Sequence, residues 1–98
     1  MTTGYVYILT NKPDGVLFTG VTSDLIRRVH EHKEKAVTGY TRLYDLDKLV
    51  YYEKYESMEE AILREKKMKL SSRTWKLDQI QKMNPDWRDL YADIAVQA

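Results

Sequence analysis

Two short apolar runs, residues 4–10 (Gly-Tyr-Val-Tyr-Ile-Leu-Thr) and 16–21 (Val-Leu-Phe-Thr-Gly-Val), flank the cluster Asn11-Lys12-Pro13-Asp14-Gly15, and this arrangement constrains the chain more than any other. Aromatic and β-branched residues favour strands. Proline fixes φ in the connecting turn, and glycine is available there for a left-handed position. A hairpin therefore opens the fold. Neither run alternates polar and apolar residues with a period of two, so both of its faces are expected to be covered.

Helical spacing follows. Thr22 or Ser23 is expected to cap a helix with Asp24 in its first turn, running to about residue 35. On a 3.6-residue wheel Leu25, Val29 and Ala36 share a stripe, with His32 at its edge and Arg28 beside His32, while Arg27, Glu31 and Glu34 face elsewhere. Residues 36–43 suit a surface loop, in which Tyr40 and the following Tyr44 either pack or await a partner. A third strand is expected over 49–55. Ser57 and Glu60 form a capping box that starts a second helix, ending near residue 70. Its mostly apolar stripe of Met58, Ala61, Ile62 and Met68, with Lys69 alongside, has Glu65 in its middle. A buried carboxylate requires a cation, a hydrogen-bond network or a raised pKa. Ser71-Ser72 breaks and caps again, residues 74–83 repeat helical spacing through Trp75, Gln79, Ile80 and Met83, and Asn84-Pro85 stops them. Trp87, Leu90 and Tyr91 are expected to tuck onto the body in a last short turn or helix. The expected organisation is one domain over 1–98, with a core of 4–91 and a frayed tail over 92–98.

Composition narrows the chemistry. With no cysteine, disulfides and thiolate metal sites are excluded, and any metal must be held by carboxylate, imidazole or water. No segment has the features of a signal peptide or approaches membrane-spanning length, so a cytoplasmic protein that does not enter a membrane is expected. The net charge of +1 does not by itself announce a nucleic-acid binder, but its distribution is uneven. Residues 64–76 carry six basic side chains against Glu65, a local balance of +5, whereas residues 78–98 carry −2. That basic stretch is either a solvated helix face or a nucleic-acid-binding face, for which Lys66, Lys69 and Arg73, with Arg27 on the first helix, are the candidate contacts.

Taken singly, Tyr5 and Tyr7 suit core strand aromatics, Arg28 an ordinary surface guanidinium, His32 a satisfied edge histidine, and Glu65 a partner in a structural ion pair. Together they suit phosphodiester hydrolysis, which needs a water made nucleophilic, a divalent cation and a fixed positive charge on the phosphate. One carboxylate suffices for Mg²⁺, which keeps much of its hydration shell. Glu65 can supply that oxygen, Arg28 the fixed charge, and His32 or a tyrosine hydroxyl the proton relay.

The hairpin Tyr5-Val6-Tyr7 followed, after the Pro-Asp-Gly turn, by Phe18-Thr19-Gly20 resembles the two signature strands of the GIY-YIG nuclease domain. Arg28 and His32 stand ten and fourteen residues after Phe18, and Glu65 stands four after Ala61, in the order and spacing of that family. The resemblance covers about residues 4–91 and is nearest the small stand-alone bacterial members, through Gly-Val-Thr-Ser-Asp-Leu-Ile-Arg-Arg and the Asn-Pro-Asp-Trp-Arg-Asp-Leu-Tyr ending. It implies an α+β fold, a small three-stranded antiparallel sheet flanked by helices, and DNA strand cleavage with a single Mg²⁺ or Mn²⁺. Carried over, Tyr7 matches the first-signature tyrosine, Arg28 the phosphate-binding arginine, His32 a position taken by histidine or tyrosine, and Glu65 the metal ligand. Phe18 departs from the pattern: it stands where the second signature has the tyrosine implicated in activating the nucleophile, and a phenyl ring exchanges no proton. Tyr5 replaces the usual glycine, and Leu77 stands about where some members have an asparagine. The implied function is an endonuclease weakened at Phe18, with a protein partner supplying specificity. The alternative is a non-catalytic nucleic-acid-binding or protein-interaction module on the same fold.

Overall fold

In the computed structural model, which describes residues 2–37 and 39–96, strand β1 (Gly4–Thr10) lies at the centre of a three-stranded antiparallel sheet. Strand β2 (Leu17–Thr22) pairs with it from Tyr5 opposite Thr22 to Thr10 opposite Leu17, and β3 (Lys48–Tyr55) pairs on the other side, giving the order β2-β1-β3. The missing polar alternation in β1 now has its cause, because two cores share the strand. Val6 and Ile8 pack with Val50, Tyr51, Ala61, Met68 and Ile80, the last three contributed by helices α3 (Met58–Leu70) and α4 (Arg73–Met83). Tyr7 and Leu9 pack with Leu25, Val29, Leu49, Leu90 and Ile94, beneath helices α1 (Leu25–Lys33) and α5 (Tyr91–Ala95). One more short helix, α2 (Tyr40–Leu43), links α1 to β3.

Several boundaries differ from the sequence expectation. Asp24, rather than Thr22 or Ser23, caps α1, its side chain accepting from the Arg27 amide at 3.1 Å. Thr22 supports that cap by accepting from the Asp24 amide at 3.1 Å. Helix α1 stops at Lys33 because Lys35 takes a positive φ of 55°, and within the expected loop residues 40–43 form α2. In the hairpin turn the left-handed position falls on Asp14 (φ 57°), not on glycine. The Ser57 cap of α3 is as expected, the hydroxyl accepting from the Glu60 amide at 3.2 Å. The tail expected to fray from residue 92 is instead helical to Ala95, held by Ile94, which is buried in the core beneath α1. Residues 97 and 98, also assigned to that tail, lie outside the described residues.

The two sheet edges end differently. Along β3, the Leu49 amide donates to Asp89 Oδ1 at 3.1 Å, the Leu49 carbonyl accepts from the Leu90 amide at 2.7 Å, and the Val50 carbonyl accepts from Asn84 Nδ2 at 3.3 Å. The register shift between Ile8 and Leu9 leaves Val50 without a partner in β1, so Asn84 satisfies a group that the ladder cannot. Along β2, among the described residues, no such strap covers residues 18–21.

Candidate active site

The site is built around the Tyr7 ring, which points to the α1 face and is buried except for about 1% of its surface. Tyr7 pairs with Gly20 across β1 and β2. A Cβ on Gly20 would lie 2.5 Å from the Tyr7 Cζ and hydroxyl oxygen, and 2.9 Å from Phe18 Cε2. Only glycine therefore lets the ring lie across β2. Phe18 and His32 complete an aromatic triangle with Tyr7, with centroid separations of 6.3 Å (Tyr7–Phe18), 6.2 Å (Tyr7–His32) and 5.9 Å (Phe18–His32). These are edge and tilted contacts, which the ring quadrupoles favour.

Charge reaches the Tyr7 hydroxyl from both sides of the sheet. Burial raises the pKa of the phenol, interaction with the Arg28 guanidinium opposes the rise, and the Glu65 and Glu31 carboxylates add to it. Arg28 comes from α1 and Glu65 from α3, helices that pack on opposite faces of the sheet. Arg28 is held above its ordinary pKa by Tyr7, against a desolvation cost, and is further supported by Glu31, which accepts from its Nη1 at 3.2 Å. Beside it a shallow cleft of about 390 Å³ is lined by Val21, Thr22, Arg27, Arg28 and Glu31, among others. A phosphate placed there meets a guanidinium already oriented by its neighbours.

His32 lies deeper than the helical wheel suggests. It is only 5% exposed, and both of its ring nitrogens are buried without a hydrogen-bond partner. Burial, with the nearby Arg28 charge, lowers its pKa from 6.5, while Glu31 opposes this. The imidazole is thus neutral near pH 7, with one nitrogen able to accept a proton.

Glu65 is 9% exposed and pairs with Lys69, its Oε2 lying 2.9 Å from Nζ. The cation required by its place in the apolar stripe is therefore supplied one turn along the same helix. Among the described residues no group of three or more His, Asp or Glu side chains can hold a metal ion. A single hard carboxylate donor suits Mg²⁺ or Mn²⁺ completed by water and substrate oxygens, and does not suit a closed zinc cage.

The basic stretch is less available than its charge count suggests. Arg64 makes a two-point contact with Glu53 (2.9 and 3.0 Å) and lies over the Trp75 ring, and Lys69 faces Glu65. Arg73 Nη2 donates to the carbonyls of Asp14 and Gly15 at 2.9 and 2.7 Å, tying α4 to the hairpin turn. Lys66 and Lys67 project into solvent, while Arg27 is exposed and 3.5 Å from Glu31. Asn84 was missed as a key residue. Its signal, an Asn-Pro pair, reads locally as a helix stop, yet its side chain also accepts from the Arg88 amide at 3.1 Å and donates to the Arg88 carbonyl at 2.7 Å.

Comparison with known proteins bears on this arrangement. The family described as the GIY-YIG catalytic domain matches residues 3–78, most of the chain. The chain belongs to the GIY-YIG family. It is 37% identical over 73 residues to a UPF0213 protein of Staphylococcus saprophyticus, a match covering 74% of this chain and 88% of that relative. It is 42% identical over 76 residues to one from Clostridium perfringens, covering 78% and 81%. The solution NMR structure of a UPF0213 protein from Bacillus halodurans is similar at 36% identity and a TM-score of 0.50, covering 84% of this chain and 85% of that one. The protein is thus a GIY-YIG nuclease-like domain of the kind found as small bacterial proteins, and the three-stranded antiparallel sheet flanked by helices is the family's architecture. Among the described residues no helix of this GIY-YIG domain is long and apolar enough to cross a membrane.

Proposed function

We propose that this GIY-YIG domain is a metal-dependent endonuclease that hydrolyses phosphodiester bonds in DNA in the bacterial cytoplasm. The observation that carries the reading is the packed triangle of the Tyr7, Phe18 and His32 rings on the α1 side that bears Arg28, in which both His32 nitrogens are buried with no protein partner. In this reading Arg28 binds the scissile phosphate and stabilises the charge that develops on it. The Tyr7 hydroxyl donates a hydrogen bond to the same group. His32 accepts the proton of the attacking water, the task Phe18 cannot perform, through contacts that tighten when substrate binds. Glu65 would hold a single Mg²⁺ or Mn²⁺, which supplies charge neutralisation at the phosphate. Sequence preference is either weak or borrowed from a protein partner.

The test is nicking of supercoiled plasmid, branched DNA and single-stranded DNA with Mg²⁺ or Mn²⁺, comparing the wild type with Glu65→Ala and Glu65→Gln. Metal-dependent cleavage by the wild type and its loss in both variants is expected. Equal activity in all three proteins, or none in any, refutes catalysis. A second reading, nucleic-acid binding without cleavage, is favoured by Phe18 and by the Lys69 ammonium beside Glu65. It requires salt-sensitive binding that survives Glu65→Ala, with no cleavage on any substrate.

A further inference from the structure

A second concavity lies along the same sheet edge. Between the β1–β2 turn, α2 and the start of α4 runs an open groove of about 660 Å³ lined by Lys12, Asp14, Leu17, Tyr40, Arg73 and Lys76, among others. Three cations against one carboxylate make it basic. Arg73 is fixed rather than floppy, since its Nη2 is clamped by two turn carbonyls, so little conformational freedom remains to be lost when it meets an anion. Tyr40 is 51% exposed and lies against Tyr44, ring centroids 5.0 Å apart, with Tyr44 itself 44% exposed. Two adjoining tyrosines left this open contribute little to the core, but offer aromatic faces on which a base can stack.

The groove and the candidate active site both adjoin β2. Leu17 lines it, and Gly20, opposite Tyr7, is three residues further along β2. At roughly 3.3 Å per strand residue this is about 10 Å. Cations for phosphates, aromatic faces for bases and an open, unroofed shape together suit an extended single strand.

We infer that this groove holds the single strand of nucleic acid flanking the scissile phosphate, its phosphates on Lys12, Arg73 and Lys76 and a base stacked on Tyr40. The inference rests on the proposed function, because the strand is one whose phosphate lies at Arg28. It also gives the tyrosines of the α1–β3 connection a role that packing does not.

The experiment uses the full chain and a fluorescein-labelled oligothymidylate, with binding read by fluorescence anisotropy over a salt series. A blunt duplex and the small diester bis-p-nitrophenyl phosphate serve as further probes. Lys12→Gln/Lys76→Gln is expected to weaken oligothymidylate binding and to reduce the salt slope by about 1.4, the value for two single-strand phosphates. Tyr40→Ala/Tyr44→Ala is expected to weaken oligothymidylate binding about tenfold and leave duplex binding unchanged. Both double variants are expected to hydrolyse the small diester at the wild-type rate, since it has no flanking strand. Circular dichroism checks that each retains its fold. Wild-type affinity and salt slope in the lysine variant, or an equal loss on duplex and single strand in the tyrosine variant, overturns the groove and leaves the nuclease reading standing. Loss of diester hydrolysis in Glu65→Gln with groove binding intact supports both. A wild type that neither binds the oligonucleotide nor hydrolyses the diester overturns both.

Discussion

Replacing His32 with leucine is expected to make the protein more stable and abolish its activity. Both ring nitrogens of His32 are buried without partners, and a buried polar group left unsatisfied costs about 1–3 kcal/mol. Leucine has a similar size and no polar atom, so the penalty is removed. Against this, the edge contacts with Tyr7 and Phe18 are lost, worth about 0.5–1.5 kcal/mol. The net expectation at pH 7.5 is a gain of about 1 kcal/mol, or about 4–8 °C in Tm for a domain of this size. The pH dependence has a definite sign. Folding lowers the His32 pKa from 6.5, so below about pH 7 the unfolded chain binds more protons than the folded one and wild-type stability falls as pH falls. The decline starts as pH passes through 6.5, ends below the lowered folded value, and has a slope of at most about 1.4 kcal/mol per pH unit. The leucine variant lacks this contribution, so its advantage widens between pH 7.5 and 5.5. Thermal denaturation followed by circular dichroism at both pH values measures the gap, and plasmid nicking measures the activity. A leucine variant less stable than wild type at pH 7.5, with no widening on acidification, refutes the account of His32 as a group retained at a cost in stability.

Gly20→Ala is expected to destabilise by about 1–3 kcal/mol, because its Cβ falls 2.5 Å from the buried Tyr7 hydroxyl; an unchanged Tm would show that the ring is not confined. Phe18→Tyr is expected to change the cleavage rate by less than tenfold if His32 already accepts the proton, and a gain of about 10²-fold or more would assign that task to the missing hydroxyl. Asn84→Ala is expected to cost about 1–3 kcal/mol in urea denaturation with an unchanged m value, since the Val50 carbonyl and the Arg88 amide both lose their partner. Ile94→Ala is expected to cost about 2–4 kcal/mol by the same measurement; a cost near zero would restore the unanchored tail.

What could be read from the sequence is what local pattern determines. The hairpin, the Ser57 capping box and the coverage of both faces of β1 follow from residues within a few positions of one another. The α1 cap did not, because Thr22, Ser23 and Asp24 are all able to cap, and the choice rests on where the backbone first turns helical. Long-range satisfaction was hidden for a different reason. Asn84 bonds a carbonyl 34 residues away and Arg64 is neutralised by Glu53, so a linear charge count overstates the basic face, while Arg73 keeps its charge but is anchored to two turn carbonyls. Within the site, the one-turn spacing of Arg28 and His32 was visible, but the depth of His32 was not, since burial there depends on Phe18 and Tyr7 from the hairpin. Nor could the sequence tell that Gly20 is what lets the Tyr7 ring lie across β2.

The unequal sheet edges have a consequence for crowded solutions. Unpaired strand edges are templates for pairing with another chain, and proteins usually cover, charge or shorten them. Here the C-terminal segment shields β3, whereas among the described residues no such strap bonds the backbone of Phe18, Thr19, Gly20 and Val21 in β2, residues without charge. A strap there would run along the strand across which the Tyr7 ring lies, so protection against strand addition and room for a ligand compete for the same backbone groups. A second copy pairing along β2 and a ligand bound at that edge would therefore exclude one another.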